Sequence, residues 1–198
     1  MIDVRGTIRD SAGQGLAGQS VRLFKTRRQF KLSGVEHGGQ VAEATRTTTD
    51  AAGFYEITIP RDRSFGEYYL RFYDPNGFDS VQYLLPPDRD ITRDLRHEQV
   101  LRVDVTLERA PTWGEVTRRV QAVGEDSPKA RILLTLGLPE REGMGSGPDG
   151  PREEWWYHSR GVVYFFHDGN PAGSRRFDPV SVPPELSSPS AASAGGGR

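Results

Sequence analysis

Short stretches of alternating hydrophobic and polar residues recur through the first half of the chain. They comprise residues 2–8, 55–59 and 101–107, with a less regular stretch at 68–73. A period of two places the hydrophobic side chains on one face of a β-sheet and the polar ones in solvent. Turn-forming clusters separate the stretches, at residues 10–15, 50–53, 74–77 and 86–87. We therefore predict an antiparallel β-sandwich of about seven strands over residues 1–110.

The hydrophobic period changes after residue 111. Valines spaced by four and three across residues 116–123 predict a helix that Thr112 caps. A Ser-Pro pair at 127–128 predicts the start of a second helix, which ends at Gly137. The glycine-rich stretch 143–151 is predicted to be a loop.

Two aromatic stretches, residues 153–158 and 162–167, flank a Ser-Arg-Gly turn and predict a β-hairpin, with a third short strand near residues 175–180. The three-residue turn gives one hairpin face Trp155, Tyr157, Val163 and Phe165, and the other face Trp156, Val162, Tyr164 and Phe166. One face must pack on the helices, and the other either packs within the protein or contacts a partner. The partner-binding candidates of the hairpin are Trp155, Trp156, Tyr157, Tyr164 and Phe166.

These patterns predict a mainly β chain of two domains and a tail. Residues 1–110 form the sandwich, and residues 111–182 form a small α+β domain of two helices followed by a β-hairpin or a three-stranded sheet. Residues 183–198 contain mostly Ser, Pro, Ala and Gly, and we expect them to be disordered because they bury too little apolar surface to fold.

Composition narrows the chemistry. The 198 residues include no cysteine, which excludes disulfides, thiolate metal sites and a cysteine nucleophile. The 26 Lys and Arg residues nearly balance the 27 Asp and Glu residues, so the whole chain carries no charge that would attract nucleic acid or a membrane surface. No hydrophobic run approaches the roughly 20 residues of a membrane span.

One segment is locally basic. Residues 22–31 hold five Lys and Arg residues without an acidic one, and lead into a long predicted loop at 25–40. Its contact candidates are Arg27, Arg28, Phe30 and Lys31. This segment is either a solvated loop or a site for phosphate or an acidic partner surface.

No catalytic or cofactor-binding pattern emerges. The four histidines, at positions 37, 97, 158 and 167, lack metal-ligand spacing, and Pro148 interrupts a formal G-x-G-x-x-G match at residues 145–150. We therefore predict no metal, no cofactor and no enzymatic activity.

The first half resembles the carboxypeptidase regulatory-like domains, which share a transthyretin-like (prealbumin-like) sandwich. The matching pieces are V-R-G-T-I at 4–8, G-L-A-G-Q-S-V-R-L at 15–23, T-D-A-A-G-F-Y at 49–55, and G-E-Y-Y-L-R-F at 66–72. The third piece is the most specific, because Asp50 can accept backbone bonds in a turn and Gly53 can adopt a positive φ.

The second half looks like the SmpA/OmlA (BamE-like) family. The match comprises the two predicted helices, G-L-P at 137–139, E-E-W-W-Y at 153–157 and Y-F-F-H-D-G at 164–169. The resemblance implies a protein-binding fold of two helices against a small sheet, as found in a bacterial assembly factor. The lipidated cysteine of that family is missing here.

From the sequence we predict that the chain is a non-catalytic protein–protein interaction or assembly protein. The alternative is a carbohydrate- or cell-surface-binding module that stacks sugars on Tyr69, Tyr73, Trp155 and Trp156. A hydrolase is the third hypothesis. The charged start of the chain, without a signal peptide, predicts a cytoplasmic location, or an extracellular or envelope one if the true N-terminus was removed or export is non-classical.

Overall fold

A computed structural model describes residues 1–27, 29–31, 34–36, 41–60, 66–148 and 150–180; the side chains of residues 27, 29–31 and 34–36 are not part of the description. The chain divides into two compact units, Met1–Ala110 and Pro111–Arg198. It is mainly β, which confirms the predicted class. The predicted tail 183–198 lies outside the described residues. None of the described helices is long and apolar enough to cross a membrane.

The first unit contains ten strands and one short helix among its described residues. They are β1 (Ile2–Asp10), β2 (Ser20–Arg27), β3 (Gln29–Lys31), β4 (Gly34–Glu36), β5 (Val41–Thr48), β6 (Phe54–Ile59), β7 (Gly66–Arg71), β8 (Arg89–Asp90), α1 (Asp94–His97), β9 (Val100–Arg102) and β10 (Val105–Leu107).

These strands form two four-stranded sheets and a small hairpin. In the first sheet β6 runs antiparallel to β1, and both β9 and β10 pair with the other side of β1. The second sheet has the order β5-β2-β7-β8 and is antiparallel throughout. The prediction of a wholly antiparallel sandwich is wrong for β9 and β10, which run parallel to β1. Hydrophobic alternation alone does not reveal strand direction, because it is the same in both pairings.

Both sheets contribute side chains to one hydrophobic core, the arrangement expected of a sandwich. The buried set includes Val4 and Ile8 of β1, Leu23 of β2, Ile57 of β6 and Leu70 of β7. The burial pattern of β1 alternates along the strand as its sequence does, so the period of two correctly identified the core face.

The T-D-x-x-G turn has the local geometry that its sequence indicates. The Asp50 carboxylate accepts hydrogen bonds from the N–H groups of Ala52 (2.8 Å) and Phe54 (2.9 Å). Gly53 has a φ of +78°, and a Cβ there would lie 2.4 Å from the carbonyl oxygen of Ile8. Only glycine fits both the backbone conformation and this close approach.

The predicted loop 25–40 is partly regular. Strand β2 continues to Arg27, and β3 pairs antiparallel with β4. The loop prediction is therefore wrong for these residues, while residues 28, 32–33 and 37–40 lie outside the described part of the chain.

Among its described residues, the second unit contains two helices and a four-stranded sheet. They are α2 (Trp113–Val123), α3 (Pro128–Leu136), β11 (Arg141–Gly147), β12 (Gly150–Tyr157), β13 (Val162–His167) and β14 (Asn170–Arg176). The sheet is an antiparallel meander in the order β11-β12-β13-β14.

This sheet differs from the predicted hairpin or three-stranded sheet. Residues 143–147 of the predicted glycine-rich loop lie in β11, and residues 150–151 begin β12. The glycines do not prevent pairing here, because all seven residues of β11 pair with β12. The last of the described strands spans Asn170–Arg176 rather than residues near 175–180.

Candidate protein-binding surface

The register of β12 and β13 differs by one residue from the predicted hairpin. Tyr157 pairs with Val162 and Trp156 pairs with Val163, so four residues connect the strands rather than three. They form a short 3-10 turn, His158–Arg160, followed by Gly161 at a φ of +62°. A shift of one residue changes which side chains of the two strands share a face. Trp155 and Tyr157 therefore lie with Tyr164 and Phe166, and Trp156 lies with Val163 and Phe165.

The face of Trp155 packs on the two helices. Trp155, Tyr157 and Phe166 are almost wholly buried, and the rings of Trp155 and Phe166 lie 4.9 Å apart. The Tyr157 hydroxyl donates to the carbonyl oxygen of Gly137, just after α3 (3.0 Å), and burial raises the pKa of Tyr157. Trp155, Tyr157 and Phe166 are thus core residues and present no surface to a partner. Tyr164 stays half-buried, edge-on to Tyr157.

A charged pair lies within this packed face. The Lys129 ammonium of α3 donates to the Glu153 carboxylate of β12 (2.6 Å), and the Trp155 indole N–H donates to the same carboxylate (2.6 Å). Lys129 also lies 5.3 Å from the Trp155 ring centre. Burial alone would raise the pKa of Glu153, but the bonds from Lys129 and Trp155 outweigh it and lower that pKa below its ordinary value. This pair ties α3 to the sheet.

The opposite face carries an ordered row of four side chains, which we call the ridge: Arg152, Glu154, Trp156 and Phe165. The Trp156 indole N–H donates to Glu154 (3.2 Å), and Arg152 donates to the same carboxylate (3.1 Å). The Arg152 guanidinium lies 3.8 Å from the centre of the Phe165 ring. All four side chains are only partly buried.

Glycines flank the ridge on the neighbouring strand. Gly143, Gly145 and Gly147 of β11 share its face, since they pair with Glu154, Arg152 and Gly150. Glu154 lies over Gly145, where an added Cβ would come within 2.3 Å of its carboxylate oxygen. At Gly143, by contrast, an added Cβ meets nothing within 4 Å. Arg152 lies near Gly147 in the same way, so the bare backbone beside the ridge is confined to Gly143.

One end of this face is covered by the chain that follows β14. The Phe177 N–H donates to the carbonyl of Gly161 (2.9 Å), and the Val180 N–H donates to that of His158 (2.9 Å). His158 stacks on the Trp156 ring at 5.5 Å, and Phe177 lies 5.9 Å from it. Trp156 is thus held in place from two sides, and Val163 beneath this end is fully buried.

The basic segment yields no assembled site among the described residues. The side chains of the candidates Arg27, Phe30 and Lys31 lie outside the description, as does the whole of Arg28. At the described start of the segment, Arg22 forms an ion pair with Glu43 and Lys25 lies 5.6 Å from the Tyr68 ring centre. Within the described part of the chain, no three His, Asp or Glu side chains are grouped as metal ligands.

Comparison with known proteins identifies no family. No protein-family model matches the chain, and no curated protein does. The streptococcal ancillary pilin structure has a TM-score of 0.39 at 15% identity, covering 90% of this chain and 56% of that one. The group B streptococcus pilus 2b backbone protein has a TM-score of 0.34 at 19% identity, covering 55% of this chain and 41% of that one. A 9R-lipoxygenase from Cyanothece PCC8801 scores 0.31 at 15% identity, with 54% and 16% covered. Scores this low support no conclusion about this chain, so its function must be argued from its own residues.

Proposed function

We propose that this chain is a non-catalytic protein–protein interaction or assembly protein, and that it contacts its partner through the ridge face of the second unit. In this proposal the first unit is a transthyretin-like sandwich and the second a BamE-like α+β domain. The observation that carries the proposal is the ridge itself, a partly exposed row of aromatic and arginine side chains held in order beside bare backbone.

The physical chemistry of the ridge suits a protein partner. Trp, Tyr and Arg are the residues most enriched at energetic hot spots of interfaces. Hydrogen bonds and ring contacts already hold Trp156 and Arg152 in position, so a partner would lose less side-chain entropy on ordering them. At Gly143, where nothing lies within 4 Å of an added Cβ, a partner's side chain can approach the backbone of β11.

The carbohydrate alternative has less support from the same geometry. Trp155 is fully buried and offers no ring face to a sugar. Tyr73 contacts the Phe78 ring at 5.6 Å and lies under the Arg71 guanidinium at 5.3 Å. The Trp156 ring already stacks on His158.

A charge placed at Gly143 tests the proposed surface. Gly143→Arg adds a long side chain where nothing lies within 4 Å, so it should block the face without disturbing the fold. Met144→Arg is the matched control, since Met144 is the next residue of β11, points to the other face and is 72% exposed.

The measurement is quantitative mass spectrometry of proteins captured by tagged variants from the native cells. We expect Gly143→Arg to recover a stoichiometric partner at least about tenfold less than the wild type does, and Met144→Arg to recover it fully. Equal recovery by the two variants, at equal unfolding midpoints, would rule out the ridge face. Turnover of a small substrate by the purified protein would contradict the non-catalytic role.

A further inference from the structure

The β9–β10 edge of the first sheet has backbone groups that point away from β1. The Val103 N–H donates towards β1, to the carbonyl of Arg5 (2.9 Å). On the outer side, the carbonyl of Glu108 accepts from the Leu84 N–H (2.9 Å), and the Ala110 N–H donates to Gln82 (2.9 Å). Successive peptide groups of a strand alternate in direction. The N–H and carbonyl of Thr106 therefore point outward, like those of Glu108.

The chain opposite this edge stops pairing before it reaches Thr106. Residues 82–84 run antiparallel to residues 108–110, with Tyr83 bridged to Arg109. Pro86 and Pro87 follow, and neither has an N–H to donate. The chain then crosses to the second sheet, where Arg89 pairs with Leu70 of β7. Within the described residues, the outward N–H and carbonyl of Thr106 have no hydrogen-bond partner.

A groove of about 640 Å³ lies between the β9–β10 edge and this crossing segment, residues 84–89. Its floor includes the buried side chains of Phe72 and Leu101. Leu84 and Leu85 form its outer wall and are 44% and 57% exposed. The groove thus offers unpaired backbone on one side and apolar side chains on the other, which are the two elements of strand addition.

The charges around the groove favour a basic occupant. Asp104 forms an ion pair with Arg102 (2.8 Å), and Asp88 forms one with Arg71 (2.7 Å). The groove-lining Asp94 and Glu108 form no ion pair in the described part of the chain, and neither does Arg89. Two unpaired carboxylates against one guanidinium leave the groove with excess negative charge.

We propose that this groove binds an extended, basic peptide segment of a partner protein, which adds as a strand to the β9–β10 edge. The crossing segment covers the outer side of the groove, so there is room for one strand. It also disfavours a second copy of this chain, whose own crossing segment lies beside the same edge. The part of the edge that precedes the pairing with Leu84, residues 102–107, accommodates about six residues of peptide. The inference rests on the proposed function only in that both require a protein partner.

Substitution of Thr106 by proline tests the outward backbone pairing while leaving the pairing of β10 with β1 in place. Thr106→Pro removes the outward N–H and leaves the bonds of Val105 and Leu107 to β1, and proline is tolerated at such edge positions. Thr106→Val is the matched control, because it keeps the N–H. Random eight-residue peptides displayed on phage are selected on the full wild-type chain and then measured as synthetic peptides by fluorescence anisotropy.

We expect enriched peptides to carry Lys or Arg, to bind Thr106→Val as they bind the wild type, and to bind Thr106→Pro about tenfold more weakly. Glu108→Lys, which replaces an unpaired carboxylate of the groove by an ammonium, should also weaken peptide binding relative to the wild type. Methylation of the peptide's own backbone N–H groups should abolish binding to the wild type, a result that does not depend on how well the proline variant folds.

Three results would overturn the inference: no enrichment on the wild type, equal binding to Thr106→Pro and Thr106→Val, or undiminished binding of the N-methylated peptide. Gly143→Arg separates this site from the ridge face. Peptides selected on the groove should bind that variant normally, whether or not the ridge proposal holds.

Discussion

At the scale of single residues, glycine has two different roles in this protein. At Gly53 the backbone has a positive φ and lies against the carbonyl of Ile8. Gly13 has an equally positive φ of +83°, but nothing lies within 4 Å of the place where a Cβ would be. The two positions share a backbone conformation and differ in how closely the chain packs around them.

Alanine substitution at the two glycines should therefore have unequal effects. Gly13→Ala is expected to cost about 1 kcal/mol, from the left-handed conformation alone. Gly53→Ala adds a clash with backbone, and should lower the free energy of unfolding by about 1–3 kcal/mol more than Gly13→Ala does. Urea unfolding of both variants provides the measurement. Equal costs would show that the close approach to Ile8 contributes nothing.

At the same scale, the residue types of the aromatic hairpin did not reveal which of its side chains are buried. The aromatic residues of β12 and β13 were recognised as a group, but a one-residue difference in register decided which of them are buried. The turn of residues 158–161 follows from its contacts with the segment 177–180 as well as from its own residues. Such contacts between distant residues cannot be deduced from local sequence.

At the scale of elements, the helices were the best predicted and the glycine-rich strand the worst. Both helices end at glycines with positive φ, at residues 124 and 137. Their N-termini differ: the Ser127 hydroxyl accepts a bond from the Ala130 N–H (3.1 Å), whereas Thr112 makes no side-chain capping bond. Thr112 is the N-cap residue of α2, as predicted, but its side chain makes no capping bond, because its backbone has an αR conformation rather than the extended one of Ser127.

This difference predicts a difference in stability. Ser127→Ala should lower the free energy of unfolding of the second unit by about 1 kcal/mol, because it removes a capping bond. Thr112→Ala should change it by less than about 0.5 kcal/mol. Chemical denaturation followed by tryptophan fluorescence suits the measurement, since Trp155 is buried in this unit. A loss at Thr112 as large as that at Ser127 would contradict the structural distinction.

Strand β11 shows why the glycine pattern of the sequence predicted a loop where the structure has a strand. Its seven residues include three glycines, counting Gly147 at its end, and glycine usually marks turns. The strand forms because β12 supplies a full set of backbone partners, and because Glu154 occupies the space above Gly145. The stabilising groups belong to another strand, so the segment's own composition does not indicate its conformation.

At the scale of the whole molecule, each unit has a hydrophobic core of its own. The core of the first draws on both of its sheets. Buried side chains of the second come from both helices and from the sheet, among them Val116, Leu133 and Trp155. A separate core is the main physical requirement for a domain that folds alone.

We therefore expect the fragments 1–110 and 111–180 each to fold without the other. Each should show a single cooperative urea transition, at a midpoint close to one observed in the full chain. Circular dichroism measures the unfolding of either fragment, and tryptophan fluorescence is a second measurement for the fragment 111–180. A fragment without a cooperative transition would show that its core depends on the rest of the chain.

The sequence by itself determined the mainly β class, the core face of β1 and β6, the two helices and the T-D-x-x-G turn. These features depend on the local period of hydrophobic residues or on the chemistry of one turn, and both are written in neighbouring positions. Only the tertiary structure decided the parallel pairing of β9 and β10, the strand state of β11, the register of the aromatic hairpin and the groove beside Thr106. Each of these features depends on whether a distant strand supplies hydrogen-bond partners to the segment, and on which strand does so. The local sequence pattern contains no information about that choice.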